Sequence, residues 1–299
     1  MKPSVTPLRY PGGKTWLLDY AKRFVGFHKI ENCVIAEPYA GSASISVGLL
    51  HSHLVKEAYI NEKDPLLVAF WKAILDHNEE LAEYVSSLEV SMDTWFSFRG
   101  FLTPGQHKVI ELAGAFLFYN RTNYSGIIKG GPLGGKHQES PYKIYCRFNQ
   151  KKIVDKIRSL STLKGRLHIT EGDGIEFMKR LEATDPGNLF FYVDPPYYIA
   201  GKDLYRYFFT DAEHQKLASF LKSLESPWIL SYDNAEFIRN LYADNESSPV
   251  YTDYQSGHFK KDVKELLISN RFIPPFTPEV SLKPRNVRND KLPPDEIEV

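Results

Sequence analysis

Leu189-Phe-Phe-Tyr-Val-Asp-Pro-Pro-Tyr197 is the stretch that decides which fold and which chemistry this chain should have. Five apolar residues in a row predict a buried strand, and Asp194 follows where that strand ends. In open α/β sheets, ligands bind beyond the carboxyl ends of the strands. Pro195 and Pro196 stiffen the turn, and they carry no N–H, so their carbonyl groups stay free to accept hydrogen bonds. The stretch therefore predicts a ligand site at the edge of an α/β sheet.

The residue types in this turn suit chemistry on an exocyclic amine. The lone pair of adenine N6 is delocalised into the ring, and two acceptors that hold both N–H bonds would let this nitrogen pyramidalise. The Asp194 carboxylate and the Pro195 carbonyl supply such a pair, and Tyr197 supplies a flat face for an extruded base. We therefore predict that Asp194, Pro195, Pro196 and Tyr197 are catalytic. A plain turn in which Asp194 only caps the strand is the alternative.

Working outward, an earlier strand also ends in a small-residue turn. Cys33–Glu37 reads as a strand, and Gly41 in the turn after it would let the backbone approach a ligand closely. A second strand covers Ala58–Ile60, and Glu62 after it is placed to accept hydrogen bonds from ribose hydroxyls. Asp173 follows a third strand, where it could bind an adenine amine, cap a helix, or do both. The predicted cofactor-binding residues in these turns are Glu37, Pro38, Tyr39, Gly41, Ser42, Glu62, Asp173 and Asp194.

The N-terminal Tyr10-Pro-Gly-Gly-Lys14 turn is similar to the end of the phosphate loop of ATPases. That loop requires glycine at the position of Leu8 and a buried strand before it, so the ATPase interpretation fails. A lysine beside a diglycine turn can instead bind a carboxylate, such as the methionine end of a nucleoside cofactor. We predict that Tyr10, Gly12, Gly13 and Lys14 bind the cofactor.

The charge distribution indicates a nucleic-acid surface. The chain has no net charge, but residues 99–166 hold 13 Lys/Arg against 3 Asp/Glu, a local balance of +10. A basic block of this kind is typical of a phosphate-binding surface, although a solvated face without a partner is the alternative. The predicted DNA-binding residues are Arg121, Asn123, Tyr124, Lys129, Lys136, Lys143 and Arg147.

The same block interrupts the α/β alternation. We predict a discontinuous catalytic domain over residues 1–64 and 151–282, a mainly helical target-recognition insertion over 65–150, and a flexible tail over 283–299. No metal site is predicted, because His51 and His53 lack a third ligand.

Taken together, these blocks resemble the Dam-type (D12 class) family of adenine-N6 DNA methyltransferases. The resemblance runs in order from Tyr10-Pro-Gly-Gly-Lys14 through Glu37-Pro-Tyr-Ala-Gly41 and Asp194-Pro-Pro-Tyr197 to Lys264-Glu-Leu-Leu-Ile-Ser-Asn270. It implies a seven-stranded, Rossmann-like methyltransferase sheet that binds S-adenosylmethionine. It also implies cofactor contacts at Tyr10, Lys14, Glu62 and Asp194.

One position and one stretch depart from the family pattern. Ala43 stands where a second glycine is common, and alanine is small enough for the cofactor loop to function. Members that read GATC carry a Phe-Asn-Val-Pro-type stretch, which residues 120–149 lack, so the recognition sequence stays open.

The resulting prediction is a site-specific DNA methyltransferase that acts on N6 of a flipped adenine in double-stranded DNA. The alternatives are an RNA or protein-amide N-methyltransferase and a DNA-binding protein that has lost catalysis. A cognate restriction endonuclease is a candidate partner, and the oligomeric state stays open. We expect a cytoplasmic protein without a membrane span.

Overall fold

The computed structural model describes residues 5–10, 13–102, 107–184, 188–256 and 259–275, with the backbone alone for 251–264. The predicted cofactor residue Gly12 and the predicted flexible tail over 283–299 lie outside the described residues.

A seven-stranded sheet runs through the middle of the molecule, in the order β3-β2-β1-β4-β5-β7-β6. Its strands are β1 Cys33–Glu37, β2 Val55–Glu62, β3 Leu167–Glu171, β4 Leu189–Val193, β5 Trp228–Asp233, β6 Glu246–Ser256 and β7 Phe259–Ser269. The first five strands pair in parallel, whereas β7 is antiparallel to both β5 and β6. The predicted seven-stranded sheet is confirmed, and the antiparallel pair β6 and β7 forms one edge of it.

Eleven α-helices lie among the described residues. They are α1 Leu18–Phe27, α2 Ser44–His51, α3 Pro65–Asp76, α4 Asn78–Ser87, α5 Met92–Ser97, α6 Val109–Thr122, α7 Gln150–Ser159, α8 Gly174–Glu182, α9 Gly201–Leu204, α10 Asp211–Ser223 and α11 Glu236–Leu241. Apolar spacing in the sequence does not predict α5, because a helix of six residues shows too little of a period. Its cap is nevertheless visible in the sequence, since the Ser91 hydroxyl accepts a hydrogen bond from Thr94 N–H.

The central strand β4 shows why the sheet is covered on both faces. All five of its residues are buried, and they alternate between two hydrophobic cores. Phe190 and Tyr192 point into one core, and Phe191 and Val193 point into the other. The polar groups that follow β4 are therefore held by a rigid, fully buried strand.

The helices of the basic segment share a core with the sheet. Phe70 of α3 and Phe116 and Phe118 of α6 are buried in the same core as Ile35 of β1. Burial of these side chains joins the segment to the sheet. The division into a catalytic domain and a 65–150 insertion remains a prediction.

Candidate active site

A cavity of about 840 Å³, counted with its open mouth, lies at the carboxyl ends of β1 to β4. Its walls come from the turns that the sequence singled out, and parallel strands place those turns at one edge of the sheet. Predicted site residues that line it are Tyr10, Gly13, Lys14, Glu37, Tyr39, Gly41, Ser42, Glu62, Asp173, Asp194 and Pro196. Pro38, Pro195 and Tyr197 lie outside the lining, and the first two are buried.

Asp194 is held by one of its two carboxylate oxygens. Its Oδ1 accepts hydrogen bonds from Lys14 Nζ at 2.7 Å and from Ser231 Oγ at 2.8 Å. Its Oδ2 accepts no hydrogen bond from the residues that the structure describes, and the side chain is 22% exposed toward the cavity. Burial raises the pKa of Asp194 above its usual value, although Lys14 opposes the shift. The arrangement fixes the carboxylate and leaves one oxygen for a substrate donor.

Lys14 lies at the centre of a buried charge cluster. Its side chain is 2% exposed, and its Nζ also donates to Tyr197 Oη at 3.1 Å and lies 3.7 Å from Glu265 Oε2. Burial by itself lowers the pKa of Lys14, but Asp194 and Glu265 outweigh it, and the pKa is raised well above its usual value. Lys14 is therefore a cation that contacts protein carboxylates at the cavity wall.

Tyr197 is oriented from three sides. Its hydroxyl donates to Glu265 Oε1 at 2.8 Å, and Lys14 Nζ lies 4.9 Å from its ring centroid. The ring of Tyr205, which lines the cavity, meets it edge-on at 6.3 Å. The ring is thus fixed behind the cavity wall, beside Tyr205.

The residues of the site that the sequence did not predict include three polar ones beside Asp194 and Tyr197, namely Ser231, Asp233 and Glu265. They also include Tyr205, Arg206, Tyr207 and Phe209 of the cavity lining. Ser231 binds Asp194, and Glu265 binds Tyr197. Asp233 accepts hydrogen bonds from Tyr198 N–H at 2.8 Å and Ile199 N–H at 2.7 Å, and so holds the loop after the catalytic turn. The available signal was polar or charged residues in strands that are otherwise apolar, because such groups are buried only with partners.

Glu62 closes the cavity on the side of β2. Its Oε2 accepts from Gly41 N–H at 3.1 Å and its Oε1 accepts from Lys63 N–H at 2.9 Å. Burial raises the pKa of Glu62 to about 7. Gly41 has φ +49°, and a Cβ there would stand 2.7 Å from the Tyr10 ring, so this turn needs glycine for conformation and for space.

Two further carboxylates stand at helix N-termini, where backbone N–H groups favour negative charge. Glu37 accepts from Ser46 N–H of α2 at 2.5 Å, and burial raises its pKa to about 8. Asp173 accepts from Ile175 N–H at 3.0 Å and Glu176 N–H at 3.1 Å. Asp173 is thus a helix cap that also lines the cavity, and its binding of an adenine amine stays a prediction.

The predicted DNA-binding residues lie apart from the cavity lining, in two structural classes. Tyr124, Lys129, Lys136 and Arg147 are exposed, and Lys143 is half-buried. Lys129 donates to the Lys202 carbonyl, and Lys143 donates to the Gln138 carbonyl.

The side chains of Asn123 and Arg121 form hydrogen bonds with other residues of the protein. Asn123 is fully buried, accepts from Trp95 Nε1 at 2.7 Å and donates to the carbonyls of Ile127 and Ile128. Arg121 donates to the carbonyls of Arg147 and Pro7, and burial lowers its pKa to about 10. Because Asn123 is fully buried and its amide is used within the protein, the prediction that it contacts DNA is wrong. Arg121 is half-buried, and its contact with DNA stays a prediction.

Two absences concern the described residues only. They contain no group of three or more His, Cys, Asp or Glu side chains that could hold a metal ion. None of their helices is both long and apolar enough to cross a membrane.

Comparison with known proteins identifies the family. Residues 10–255 match the model of the D12 class N6 adenine-specific DNA methyltransferases. The chain belongs to this family. It is therefore a DNA methyltransferase that modifies adenine N6, and the family's methyl donor is S-adenosylmethionine.

Two curated relatives are type II methyltransferases. M.CviBI of Paramecium bursaria Chlorella virus NC1A is 23% identical over 259 residues, which cover 86% of this chain and 91% of that protein. M.MjaIII of Methanocaldococcus jannaschii is 25% identical over 291 residues, which cover 88% and 98%. Both relatives are matched over nearly their whole length.

Solved structures match more loosely. M. capricolum TrmK in complex with S-adenosyl-homocysteine gives a TM-score of 0.35 at 11% identity, covering 88% of this chain and 72% of that chain. The rRNA methyltransferase AviRa from Streptomyces viridochromogenes gives 0.33 at 14% identity, covering 83% of each. At these scores the likeness carries no argument about function.

The hydrogen-bond acceptors of the cavity fit the family's cofactor. A nucleoside with a ribose diol, an exocyclic amine and a zwitterionic amino-acid end needs carboxylates at several points of one cavity. Glu62, Asp173, Glu37 and Asp194 line the cavity together, and the Tyr39 ring adds an apolar wall. The residues present are therefore compatible with S-adenosylmethionine.

Proposed function

We propose that this chain transfers the methyl group of S-adenosylmethionine to N6 of a flipped adenine at specific sites in duplex DNA. The observation that carries the proposal is the state of Asp194. Lys14 and Ser231 fix its Oδ1, while its Oδ2 stays without a hydrogen-bond donor among the described residues in the cavity. This oxygen can accept an N–H bond of the target amine.

The residues around Asp194 would position the base and the cofactor. We assign Glu62 to the ribose hydroxyls and Asp173 to the adenine amine of the cofactor. Pro195 is buried outside the cavity lining, so its carbonyl is not assigned to the target amine. Lys14, bound to Asp194, orients that carboxylate. The bound cofactor supplies an activated methyl group on a positively charged sulfur, so positioning in a desolvated pocket accounts for much of the acceleration.

A target base inside a duplex cannot reach a cavity, so the proposed reaction requires base flipping. Exposed cations on the basic segment, chiefly Lys136 and Arg147, are assigned to the phosphates. Tyr142 and Tyr145 are 65% and 62% exposed on the same segment, and aromatic side chains of this kind can stack on bases or wedge between them. We further propose that the enzyme acts in the cytoplasm with a cognate restriction endonuclease.

Incorporation of tritiated methyl groups into duplex DNA tests the proposal. Asp194→Ala should abolish incorporation, while Asp244→Ala should retain it, because Asp244 is a surface carboxylate whose side chain is 90% exposed. Mass spectrometry of nucleosides would identify N6-methyladenine, and sequencing of genomic DNA from a methylation-free host would report the site. Full activity of Asp194→Ala on duplex DNA, or incorporation into RNA but not duplex DNA, would refute the proposal.

A further inference from the structure

Glu265 is a buried carboxylate that has no role in the reaction proposed above. It lies on β7, and its residue is 3% exposed. Its Oε1 accepts the Tyr197 hydroxyl at 2.8 Å. Its Oε2 is buried, accepts no hydrogen bond from the described residues and lies 3.7 Å from Lys14 Nζ. A buried carboxylate oxygen that accepts no hydrogen bond can take a proton.

The charges around Lys14 do not balance when both carboxylates are ionised. One ammonium group stands between Asp194 and Glu265, so the cluster carries a net negative charge in a place where charge is costly. Fixing the Tyr197 hydroxyl alone would need only a neutral acceptor. Orienting Tyr197 therefore does not explain why a carboxylate, and not a neutral side chain, stands at position 265.

Hydrogen bonds connect the cavity to Glu265 without a gap. Lys14 Nζ binds Asp194 Oδ1 at 2.7 Å and donates to Tyr197 Oη at 3.1 Å, and Tyr197 Oη donates to Glu265 Oε1 at 2.8 Å. The bonds from Lys14 to Tyr197 and from Tyr197 to Glu265 point toward β7, whereas the bond from Lys14 to Asp194 points toward the cavity. A proton can therefore leave the cavity when Lys14 gives one proton to Tyr197 and accepts another from Asp194.

We propose that Glu265 is the final acceptor of the proton that adenine N6 loses on methylation, reached through Asp194, Lys14 and Tyr197. The proposal rests on the proposed function. Formation of the N–C bond leaves N6 positively charged with two hydrogens. One proton passes from N6 to Asp194 Oδ2, and the electron pair of that N–H bond stays on nitrogen.

The remaining transfers restore every group except Glu265. Lys14 Nζ gives a proton to Tyr197 Oη while Tyr197 gives its own proton to Glu265 Oε1. Rotation of the Asp194 carboxyl group about Cβ–Cγ then brings its protonated oxygen to the neutral Lys14 amine, which takes the proton. The sum is one proton moved from N6 to Glu265, with Asp194 again a carboxylate, Lys14 an ammonium and Tyr197 a phenol.

The electrostatic surroundings favour this direction. Burial raises the pKa of Glu265, and Lys14 opposes the shift. Among the described side chains, those that face Glu265 are Lys14, Asp194, Tyr197 and, opposite it on β5, Asp233, whose carboxylate binds backbone amides. Methyl transfer removes the positive charge of the donor sulfur, so the carboxylates left behind hold a proton more readily after the reaction.

The first test needs no turnover. Calorimetry in buffers of different ionisation enthalpy counts the protons exchanged when S-adenosylmethionine or S-adenosylhomocysteine binds. S-adenosylhomocysteine, whose sulfur is uncharged, should bind with more proton uptake than S-adenosylmethionine. Glu265→Gln should reduce this difference in proton uptake. Glu246→Gln, on the exposed part of neighbouring β6, should leave it unchanged. An undiminished difference in Glu265→Gln would overturn the proposal.

The second test separates proton transfer from positioning. Glu265→Gln can still accept the Tyr197 hydroxyl but cannot take a proton, and Tyr197→Phe keeps the ring but breaks the series. Each should slow single-turnover methylation by on the order of 100-fold. The two together should slow it no more than one alone, and Glu265→Asp should restore part of the rate. Unchanged rates, or additive losses, would count against the relay.

The two proposals fail in different ways. If the wild-type protein methylates no duplex DNA, the proposed function fails, and the proton count still reports whether Glu265 responds to the sulfur charge. If the wild-type protein is active and Glu265→Gln matches it at every pH, the relay alone fails. Glu265→Asp and Tyr197→Phe keep the relay testable if Glu265→Gln does not fold.

Discussion

Lys14 Nζ and Asp194 Oδ1 lie 2.7 Å apart, although 180 residues separate them in the chain. The contact joins the N-terminal diglycine turn to the end of β4, and the lysine side chain is almost entirely buried. Glu265 adds a third member from β7. Segments from the beginning, middle and end of the chain thus form one charge cluster beside the cavity.

Lys14→Met should destabilise the protein and abolish methylation. It leaves two buried carboxylates without their cation, which costs about 3–5 kcal/mol of unfolding free energy. Without Lys14 the pKa values of Asp194 and Glu265 rise further above their unfolded values. A group with a raised folded pKa loses its stabilising contribution as pH increases, so the deficit should be larger at pH 8 than at pH 5.

Urea unfolding of Lys14→Met at several pH values measures this effect. Adding Asp194→Asn to Lys14→Met should recover part of the lost stability, because one of the two uncompensated charges is removed. A deficit that does not depend on pH would show that the loss comes from packing.

Glu37→Gln should make the protein without cofactor more stable at pH 9 than the wild type. The folded pKa of Glu37, about 8, lies above the usual carboxyl value of 4.5. Its contribution to stability is therefore complete at low pH and lost as pH rises through 8. The neutral amide still accepts Ser46 N–H and does not lose this contribution.

Unfolding free energies at pH 5, 7 and 9 test the prediction. Exposed Glu89 provides the matched control, and Glu89→Gln should follow the wild-type profile. An unchanged difference between Glu37→Gln and wild type across this range would contradict the assignment.

Gly41→Ala should impair the cofactor turn, whereas Ala43→Gly in the same turn should leave it intact. Gly41 and Ala43 have φ of +49° and +45°, a region that costs a residue with a Cβ about 1–2 kcal/mol. Gly41→Ala adds that strain and pushes on the Tyr10 ring at the cavity, so stability and affinity for S-adenosylhomocysteine should both fall. Ala43→Gly relieves strain and should retain the affinity.

Thermal unfolding and calorimetric titration measure both variants. The loss of a buried methyl group offsets part of the gain in Ala43→Gly, so its melting temperature should change little. Wild-type cofactor affinity in Gly41→Ala would show that the turn does not form the cofactor wall.

Arg147→Ala and Lys136→Ala should weaken duplex DNA binding without changing stability. Both side chains are exposed, and each lost phosphate contact should reduce the slope of log affinity against log salt by about 1. Asn123→Ala should instead reduce the unfolding free energy by about 3 kcal/mol, because Trp95 Nε1 loses its buried acceptor.

Fluorescence anisotropy of labelled duplexes at several salt concentrations, together with urea unfolding, separates the two classes of variant. A wild-type salt slope in Arg147→Ala would remove that residue from the phosphate contacts.

The amino-acid sequence by itself determined the sheet and most of the cavity. Five consecutive apolar residues specify β4 as a buried strand. In sheets of this kind, the turn after the carboxyl end of such a strand is where ligands bind. Gly41, Asp173 and Asp194 each follow a strand and Glu62 ends one, and parallel pairing brings these turns to one edge of the sheet. Local patterns and the topology of parallel sheets are enough for this much.

Only the tertiary structure decided what each polar side chain contacts. Lys14, predicted to bind the cofactor's carboxylate, contacts Asp194 and Glu265, and Asn123, predicted to bind DNA, is buried against Trp95. Residue type and spacing give no distance between side chains on separate elements. Burial and hydrogen-bond partners depend on how distant segments meet, so Ser231, Asp233 and Glu265 entered the site only once β5 and β7 were paired.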